Sequence, residues 1–191
     1  QSDLGIAGKF TLGSAAKISL RDTSDVILRS GAAKTANVAP IPTNVTITYA
    51  GTSPLKPDSG RFVVERYMYN AKKWRFLSVP TVTPQTIREA WMEGAANSAS
   101  NPKPGYGTQL GSYYANWAAR GFDFNTPGGH DMKYWSNDAN QKYIPVPTPD
   151  SIINTNLGYM KYVRGDRSVI AGPASAVILR SRGELKRNII T

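Results

Sequence analysis

The segment Arg61-Phe-Val-Val-Glu-Arg-Tyr-Met-Tyr69, followed by Lys73-Trp-Arg-Phe-Leu-Ser-Val79, decides the fold class of this chain. Both runs are rich in β-branched and aromatic residues, which favour extended strands. The three residues between the runs are enough for a turn. We therefore predict a hairpin of 61–69 with 73–79, central in a sheet, with Trp74 and Phe76 on one buried face.

Alternating apolar and polar residues predict further strands on both sides of this hairpin. Lys17-Ile-Ser-Leu-Arg21 and Val45-Thr-Ile-Thr-Tyr49 alternate with a period of two, which is typical of a sheet with one buried and one solvated face. Val26-Ile-Leu28 is a shorter run of the same kind. The remaining predicted strands fall after residue 130, at 131–135, 142–146, 159–164 and 176–180.

One short helix is predicted after the hairpin. Thr83 can act as its N-cap and Pro84 can take the first helical position, where a missing N–H costs nothing. Gly94 ends the segment. The apolar positions are spaced three and four residues apart, as one helix face requires, at Ile87, Ala90 and Trp91.

Residues 95–130 are rich in Asn, Gly, Pro and Tyr and show little periodicity. A stretch of this length inside a folded unit is typical of a functional or partner-facing loop. We predict an all-β, mainly antiparallel fold, a β-sandwich or jelly-roll-like arrangement with one short helix and this long loop-rich insertion. Residues 1–191 form one such domain, with 95–105 as the place where the chain could divide.

Composition excludes several classes of protein. The 191 residues contain no cysteine, so disulfides and thiolate metal sites are excluded. No apolar run approaches the roughly 18 residues of a membrane span, so we predict no membrane insertion. The net charge of +10 comes from Lys and Arg spread along the chain, without the basic cluster that nucleic-acid tails show. We therefore expect no nucleic-acid partner.

The two ends of the sequence suggest a fragment of a longer chain. Gln1-Ser2-Asp3 carries neither an initiator Met nor the pattern of a signal peptide. Residues 184–191 stop within a predicted strand. We expect neighbouring domains of the same longer chain to be partners.

Several short motifs, in a fixed order, resemble a recurrent segment of large secreted or cell-surface proteins of Bacteroidetes-type bacteria, which are often exported by the type IX secretion system. These motifs are Val64-Glu-Arg-Tyr67, Trp74-Arg-Phe-Leu-Ser-Val-Pro80, Gly107-Thr-Gln109, Gly121-Phe-Asp123, Met132-Lys-Tyr134, and Gly158-Tyr-Met160 running into Val163-Arg-Gly-Asp-Arg167. The resemblance implies an extracellular or cell-surface location. It carries over no catalytic or binding residue, and the loop at 50–60 is longer than the turn such proteins have there.

The usual catalytic motifs are missing from the sequence. His130 is the only histidine, and neither Gly-x-Ser-x-Gly nor His-Glu-x-x-His occurs. The chain has only 13 acidic residues, although two carboxylates distant in sequence could still form a glycosidase pair. We predict that the protein is not an enzyme.

Aromatic residues crowd the insertion and suggest where a ligand would bind. Flat rings stack on sugars or on protein partners, and amide or carboxylate groups bind hydroxyls. We expect the ligand surface within 106–140, with Tyr114 and Trp117 as the most exposed rings. The candidate ligand-binding residues are Tyr106, Tyr114, Trp117, Arg120, Asp123 and Trp135.

Calcium is the one cofactor that the sequence suggests, although it lacks the EF-hand spacing. Oxygen donors cluster in the same region, and Asp131 and Asp138 are the candidate ligands. Asn and Asp are also ordinary turn residues, so the sequence leaves both interpretations open.

These observations predict a non-catalytic module of a secreted or cell-surface protein, with an adhesion, matrix or scaffold role and a carbohydrate, either a polysaccharide or a cell-surface glycan, as ligand. A flat aromatic surface would favour this hypothesis. The alternative is a polysaccharide-active enzyme or its accessory domain, which a carboxylate pair in a cleft would favour. A structural filament subunit is the third hypothesis, and an exposed apolar edge strand would favour it.

Overall fold

A computed structural model describes residues 3–21, 24–50, 60–82, 84–97, 101–139, 141–168 and 173–187. Within these ranges the chain forms fifteen strands and one short helix, as the all-β prediction requires. The strands of the N-terminal part are short: β1 Leu4–Ile6, β2 Lys9–Phe10, β3 Lys17–Leu20, β4 Val26–Leu28, β5 Asn37–Val38 and β6 Thr46–Tyr49. The remaining strands are β7 Phe62–Met68, β8 Lys73–Leu77, β9 Thr81–Val82, β10 Gly111–Ser112, β11 Phe124–Asn125, β12 Met132–Trp135, β13 Tyr143–Pro145, β14 Tyr159–Val163 and β15 Val177–Leu185.

Two larger sheets form a sandwich-like arrangement. The first has the strand order β1-β4-β7-β15-β9, and the second has the order β13-β12-β14-β8. The second sheet is antiparallel throughout, and β15 is antiparallel to both of its neighbours. The N-terminal strands differ, because β1, β4 and β7 pair in parallel and so do β3 and β6.

The predicted hairpin of 61–69 with 73–79 is wrong. Strand β7 pairs with β4 and β15 in the first sheet, whereas β8 pairs with β14 in the second. The connection at 70–72 therefore passes from one sheet to the other. Strand β7 lies centrally, as expected, but β8 lies at a sheet edge.

The exposure of β8 also differs from the prediction. Trp74 and Phe76 do share one face of the strand, but Trp74 is 44% exposed and Phe76 is 73% exposed. Alternation determines that two residues lie on the same face, and it does not determine which face is buried. Leu77, on the opposite face, is the residue of β8 that packs against the core.

The helix α1, Ile87–Trp91, confirms the predicted element but starts later than expected. Thr86 is the N-cap: its hydroxyl accepts a bond from the Glu89 N–H, and the Glu89 carboxylate accepts one from the Thr86 N–H. This reciprocal capping box defines the start of the helix better than Pro84 does. The predicted N-cap Thr83 lies outside the described residues.

Two hydrophobic clusters fill the space between the layers. One combines the helix with the four-stranded sheet and the insertion, through Trp91, Leu110, Phe122 and Met132 among others. The other lies under the N-terminal strands and surrounds Phe62, which is fully buried. The insertion is thus part of the core at several positions, although β10 and β11 are its only strands in the described ranges.

Within the described ranges, no helix is long and apolar enough to cross a membrane.

Candidate functional site

The outward face of the four-stranded sheet carries a continuous set of rings. Side chains alternate between the two faces of a strand, so every second residue of each strand contributes to this surface. We call it the aromatic face; its members are Trp74, Phe76, Lys133, Trp135, Tyr143, Pro145, Met160 and Tyr162.

Strand register arranges these residues in rows across the sheet. The central row crosses all four strands, because Met160 pairs with Phe76 on one side and with Lys133 on the other, and Lys133 pairs with Pro145. The row on one side holds Trp74 opposite Tyr162, and the row on the other holds Trp135 opposite Tyr143.

No pair of these rings stacks in parallel. Trp74 and Tyr162 meet edge to face with ring centroids 5.4 Å apart, as do Trp135 and Tyr143 at 5.0 Å, whereas the rings of Phe76 and Tyr143 are tilted at 41° with centroids 6.5 Å apart. Gly158 lies on the same side as Trp135 and would have open space around an added Cβ. The missing side chain at Gly158 leaves room for the rings of the two edge strands to approach each other.

Positive charge lies within and beside the aromatic face. The Lys133 ammonium lies 5.8 Å from the centroid of the Trp74 ring, and the Arg164 guanidinium lies 4.8 Å from that of Tyr162. Arg164 is also paired with the buried Asp131 at 3.0 Å, which holds it in place. The surface therefore combines apolar rings with cations, the chemistry that suits an anionic ligand with flat apolar faces.

The opposite face of the same sheet is buried. Tyr159, Met132 and Val163 are almost inaccessible to solvent. Lys161 lies among them, and its ammonium donates to the carbonyl oxygens of Gln109 at 2.8 Å and Tyr162 at 2.6 Å. Burial lowers the pKa of Lys161 to about 8, with the nearby Asp131 opposing that shift. The aromatic face is thus supported from behind by a packed layer.

The predicted rings of the insertion are less exposed than expected. Tyr114 and Trp117 are half-buried and pack against the larger hydrophobic cluster, so they are not the most exposed pair. Tyr106 is half-buried too, with the Arg180 guanidinium 4.1 Å from its ring centroid. Tyr113, at 61% exposed, is the ring of this region that projects into solvent.

Trp135 is the predicted ring that joins the aromatic face. Its indole N–H donates to Asn137 at 2.8 Å, which fixes the ring at the end of β12. Arg120 instead covers the Tyr114 ring at 4.3 Å and donates to Asn116, away from this sheet face. The structure therefore does not bring the six predicted ligand-binding residues together.

Buried ion pairs occupy the acidic candidates of the insertion. Asp123 pairs with Arg167, both buried, and accepts the N–H of Leu110. Asp131 pairs with Arg164 and accepts the N–H of Gly111. These bonds attach the insertion to the end of β14, so both carboxylates serve the fold.

The other calcium candidate, Asp138, is exposed in the turn before β13. Among the described residues, no group of three or more His, Asp or Glu side chains is placed to hold a metal ion. Calcium binding stays a prediction.

His130 lies beside a serine, in an arrangement that superficially suggests a nucleophile and a base. The Ser112 hydroxyl lies 3.1 Å from the His130 Nδ1 and also accepts the Tyr114 N–H. Ser112 is fully buried, so a substrate has no access to its hydroxyl. Partial burial lowers the pKa of His130, and the positive charge of the nearby Lys133 lowers it further. This geometry holds the insertion together rather than exposing a reactive group.

The sequence contained a signal for the residues that our interpretation missed. Trp74 and Phe76, Met160 and Tyr162, and Lys133 and Trp135 are each two apart within predicted strands. Large side chains at every second position of several strands indicate a shared face. The missing information was the pairing of β8 with β14, because it places Trp74 and Phe76 beside the others.

Comparison with protein-family models, with curated proteins and with solved structures finds no match for the chain. The resemblance to secreted Bacteroidetes-type surface proteins thus stays a prediction.

Proposed function

We propose that this chain is a non-catalytic, extracellular or cell-surface module that binds an anionic carbohydrate on its aromatic face. The observation that supports the proposal best is the solvent-exposed set of rings on one sheet face, with Trp74, Phe76 and Tyr143 all more than a third exposed. A large exposed apolar patch on a folded protein is typical of an interaction site. Sugar rings present apolar faces that stack on such side chains.

Charge favours an anionic sugar within this class. Lys133 lies in the central row of the aromatic face and Arg164 at its margin. The whole chain carries a net charge of +10, which increases the rate of encounter with anionic polymers. Uronic acid or sulfate groups would supply the opposite charge.

The buried carboxylates support a non-catalytic role. Glu93 pairs with Arg180, Asp123 with Arg167 and Asp131 with Arg164. A general acid or nucleophile of a glycosidase needs a carboxyl group that reaches the substrate. In these three pairs the carboxyl group is bound to a guanidinium instead.

The test is a glycan array followed by titration of the best ligand at two salt concentrations. Trp74→Ala and Phe76→Ala should each weaken binding by about fivefold or more, since each removes a stacking ring worth roughly 1 kcal/mol or more. Lys133→Gln should weaken binding mainly at low salt, because exposed charges are screened beyond about 8–10 Å.

Tyr113→Ser is the matched control, because it removes an equally exposed ring outside the aromatic face. It should leave binding unchanged. The proposal is wrong if no acidic glycan binds, or if Trp74→Ala and Phe76→Ala bind the glycan as tightly as the wild type does. It is also wrong if Tyr113→Ser weakens binding as much as they do.

A further inference from the structure

An apolar cavity of about 410 Å³ lies between the two sheets, beside the edge strand β8. Its walls come from both hydrophobic clusters, including Leu28 and Val64 on one side and Val79 and Trp91 on the other. Its volume falls in the range of roughly 300–1,000 Å³ that ligand sites occupy. Protein interiors are otherwise close-packed, so a cavity of this size has room for side chains of another molecule.

The cavity lies along the edge of β8 and beyond its end. Five consecutive residues, 76–80, line it, and residues 75–77 line a second, adjoining cavity of about 130 Å³. Neighbouring residues of a strand point to opposite faces, so a space touched by several in succession borders the strand's edge.

In the part of the chain that the structure describes, β8 is an edge strand that is paired on one side. Its five residues pair with β14 on one edge. Within the described ranges, no other strand or side chain bonds to the backbone of 73–77 on the outer edge. An open strand edge beside an apolar groove is the arrangement that accepts an added strand.

Positive charge surrounds the same edge. Arg66, Arg75 and Lys186 line the two cavities, and Lys73 begins the strand. The Arg75 Nε is buried and has no hydrogen-bond partner among the described residues. A buried donor without an acceptor is costly, so an incoming carboxylate or carbonyl oxygen would relieve that cost.

The acidic residue at the cavity is already engaged. Glu65 accepts the Ser30 N–H at 3.1 Å and lies 4.0 Å from Arg29. The remaining charge of the groove is therefore positive. This charge also disfavours a second copy of this chain as the occupant, because the chain itself is strongly basic.

We propose that the outer edge of β8 is a strand-acceptor site for an extended segment of an acidic partner protein that carries both apolar and acidic residues. The partner's backbone continues the four-stranded sheet beside β8. Arg75 lies on the inward face of β8 together with Leu77, so the partner's inward-facing side chains include both apolar ones, which enter the 410 Å³ cavity, and carboxylates, which bind Arg66 and Arg75. The site adjoins the aromatic face at Phe76, but the inference does not depend on carbohydrate binding.

The probe is a fluorescent peptide of about ten residues in which pairs of valines alternate with pairs of glutamates, so that each strand face carries both kinds of side chain, titrated by anisotropy. We expect binding with protection of the β8 amides from hydrogen exchange. Methylation of alternate peptide nitrogens should weaken binding by at least about tenfold, because it removes several strand hydrogen bonds. The same peptide with lysine in place of glutamate should also bind at least about tenfold more weakly.

Two protein variants test the groove itself. Ala36→Leu fills part of the cavity and should weaken binding, as should Arg66→Gln combined with Arg75→Gln. Tyr113→Ser, an exposed ring elsewhere, should not change it. The proposal is overturned if the acidic peptide fails to bind at about 1 mM, or if N-methylation leaves its affinity unchanged. Protection that appears away from 73–77, or self-association of the chain through this edge, overturns it as well.

Discussion

Strands β7 and β8 follow each other in the chain and have similar compositions, yet they have opposite environments. Strand β7 lies between β4 and β15, and Phe62 and Val63 within it are almost fully buried. Strand β8 has one neighbour, β14, within the described ranges and presents Trp74 and Phe76 to solvent. Whether an aromatic-rich strand lies in the core or at the surface therefore depends on the strands it pairs with, and its own sequence does not specify those strands.

The largest effect should come from truncating the core of β7. Phe62→Ala removes a fully buried ring that contacts the rings of Phe10 and Tyr49 at 5.9 and 6.3 Å. We expect a loss of about 3–5 kcal/mol in the free energy of unfolding, the usual cost of such a cavity. Chemical denaturation measures it. A midpoint close to that of the wild type would mean that β7 is not central.

The buried face behind β8 can be tested through Lys161. Its pKa of about 8 is below the ordinary 10.5, so the folded protein releases this proton at a lower pH than the unfolded chain does. Between these two values the unfolded state binds more protons, and the free energy of unfolding should rise with pH, by about 3 kcal/mol in total. Denaturation of the wild type and of Lys161→Met from pH 7 to 10 measures the difference. A wild-type slope equal to that of the variant would place Lys161 in contact with water.

Trp74→Ala should have a smaller effect on stability. The ring is partly exposed and keeps one edge-to-face contact, with Tyr162. We expect a loss of about 1 kcal/mol, well below that of Phe62→Ala. The same denaturation series gives the value, and a loss of 3 kcal/mol or more would mean that β8 is buried.

The smallest effect should come from Phe76→Ser. This side chain is 73% exposed, and exposed positions usually change stability by less than about 0.5 kcal/mol. Thermal unfolding should give nearly the wild-type midpoint. A clearly higher midpoint would show that the exposed Phe76 ring destabilises the folded protein. A clearly lower midpoint would show that Phe76 packs against the fold.

Much of the fold could be predicted from the sequence, because alternation is a local property. The strands at 26–28, 46–49, 132–135 and 159–163 lie where the alternating pattern placed them. The pairing could not be predicted, since β8 joins β14 about eighty residues later while the turn at 70–72 favours a local hairpin. Proximity in the sequence does not predict strand pairing here, because β7 and β8 both pair with strands that are distant in the sequence.

The site was harder to predict than the fold. Trp135 was expected at a ligand surface and lies on the aromatic face, but Tyr114 and Trp117 pack inward. The burial of Lys161 could not be predicted either, because a charged side chain normally indicates an exposed position. Its burial depends on the carbonyl oxygens of Gln109 and Tyr162, which accept bonds from its ammonium. The arginine partners of Asp123 and Asp131 come from the segment after β14, far away in the sequence.

Folding of the first sheet depends on β15, which lies between β7 and β9. Strand β7 pairs with β15 across more than one hundred residues, and β9 pairs with the end of β15. The first sheet therefore cannot form during synthesis until β15 has emerged. Contacts this distant close slowly, and the strand edges left open meanwhile are prone to associate with other chains. Folding of this sheet should be cooperative and most sensitive to truncation at β15.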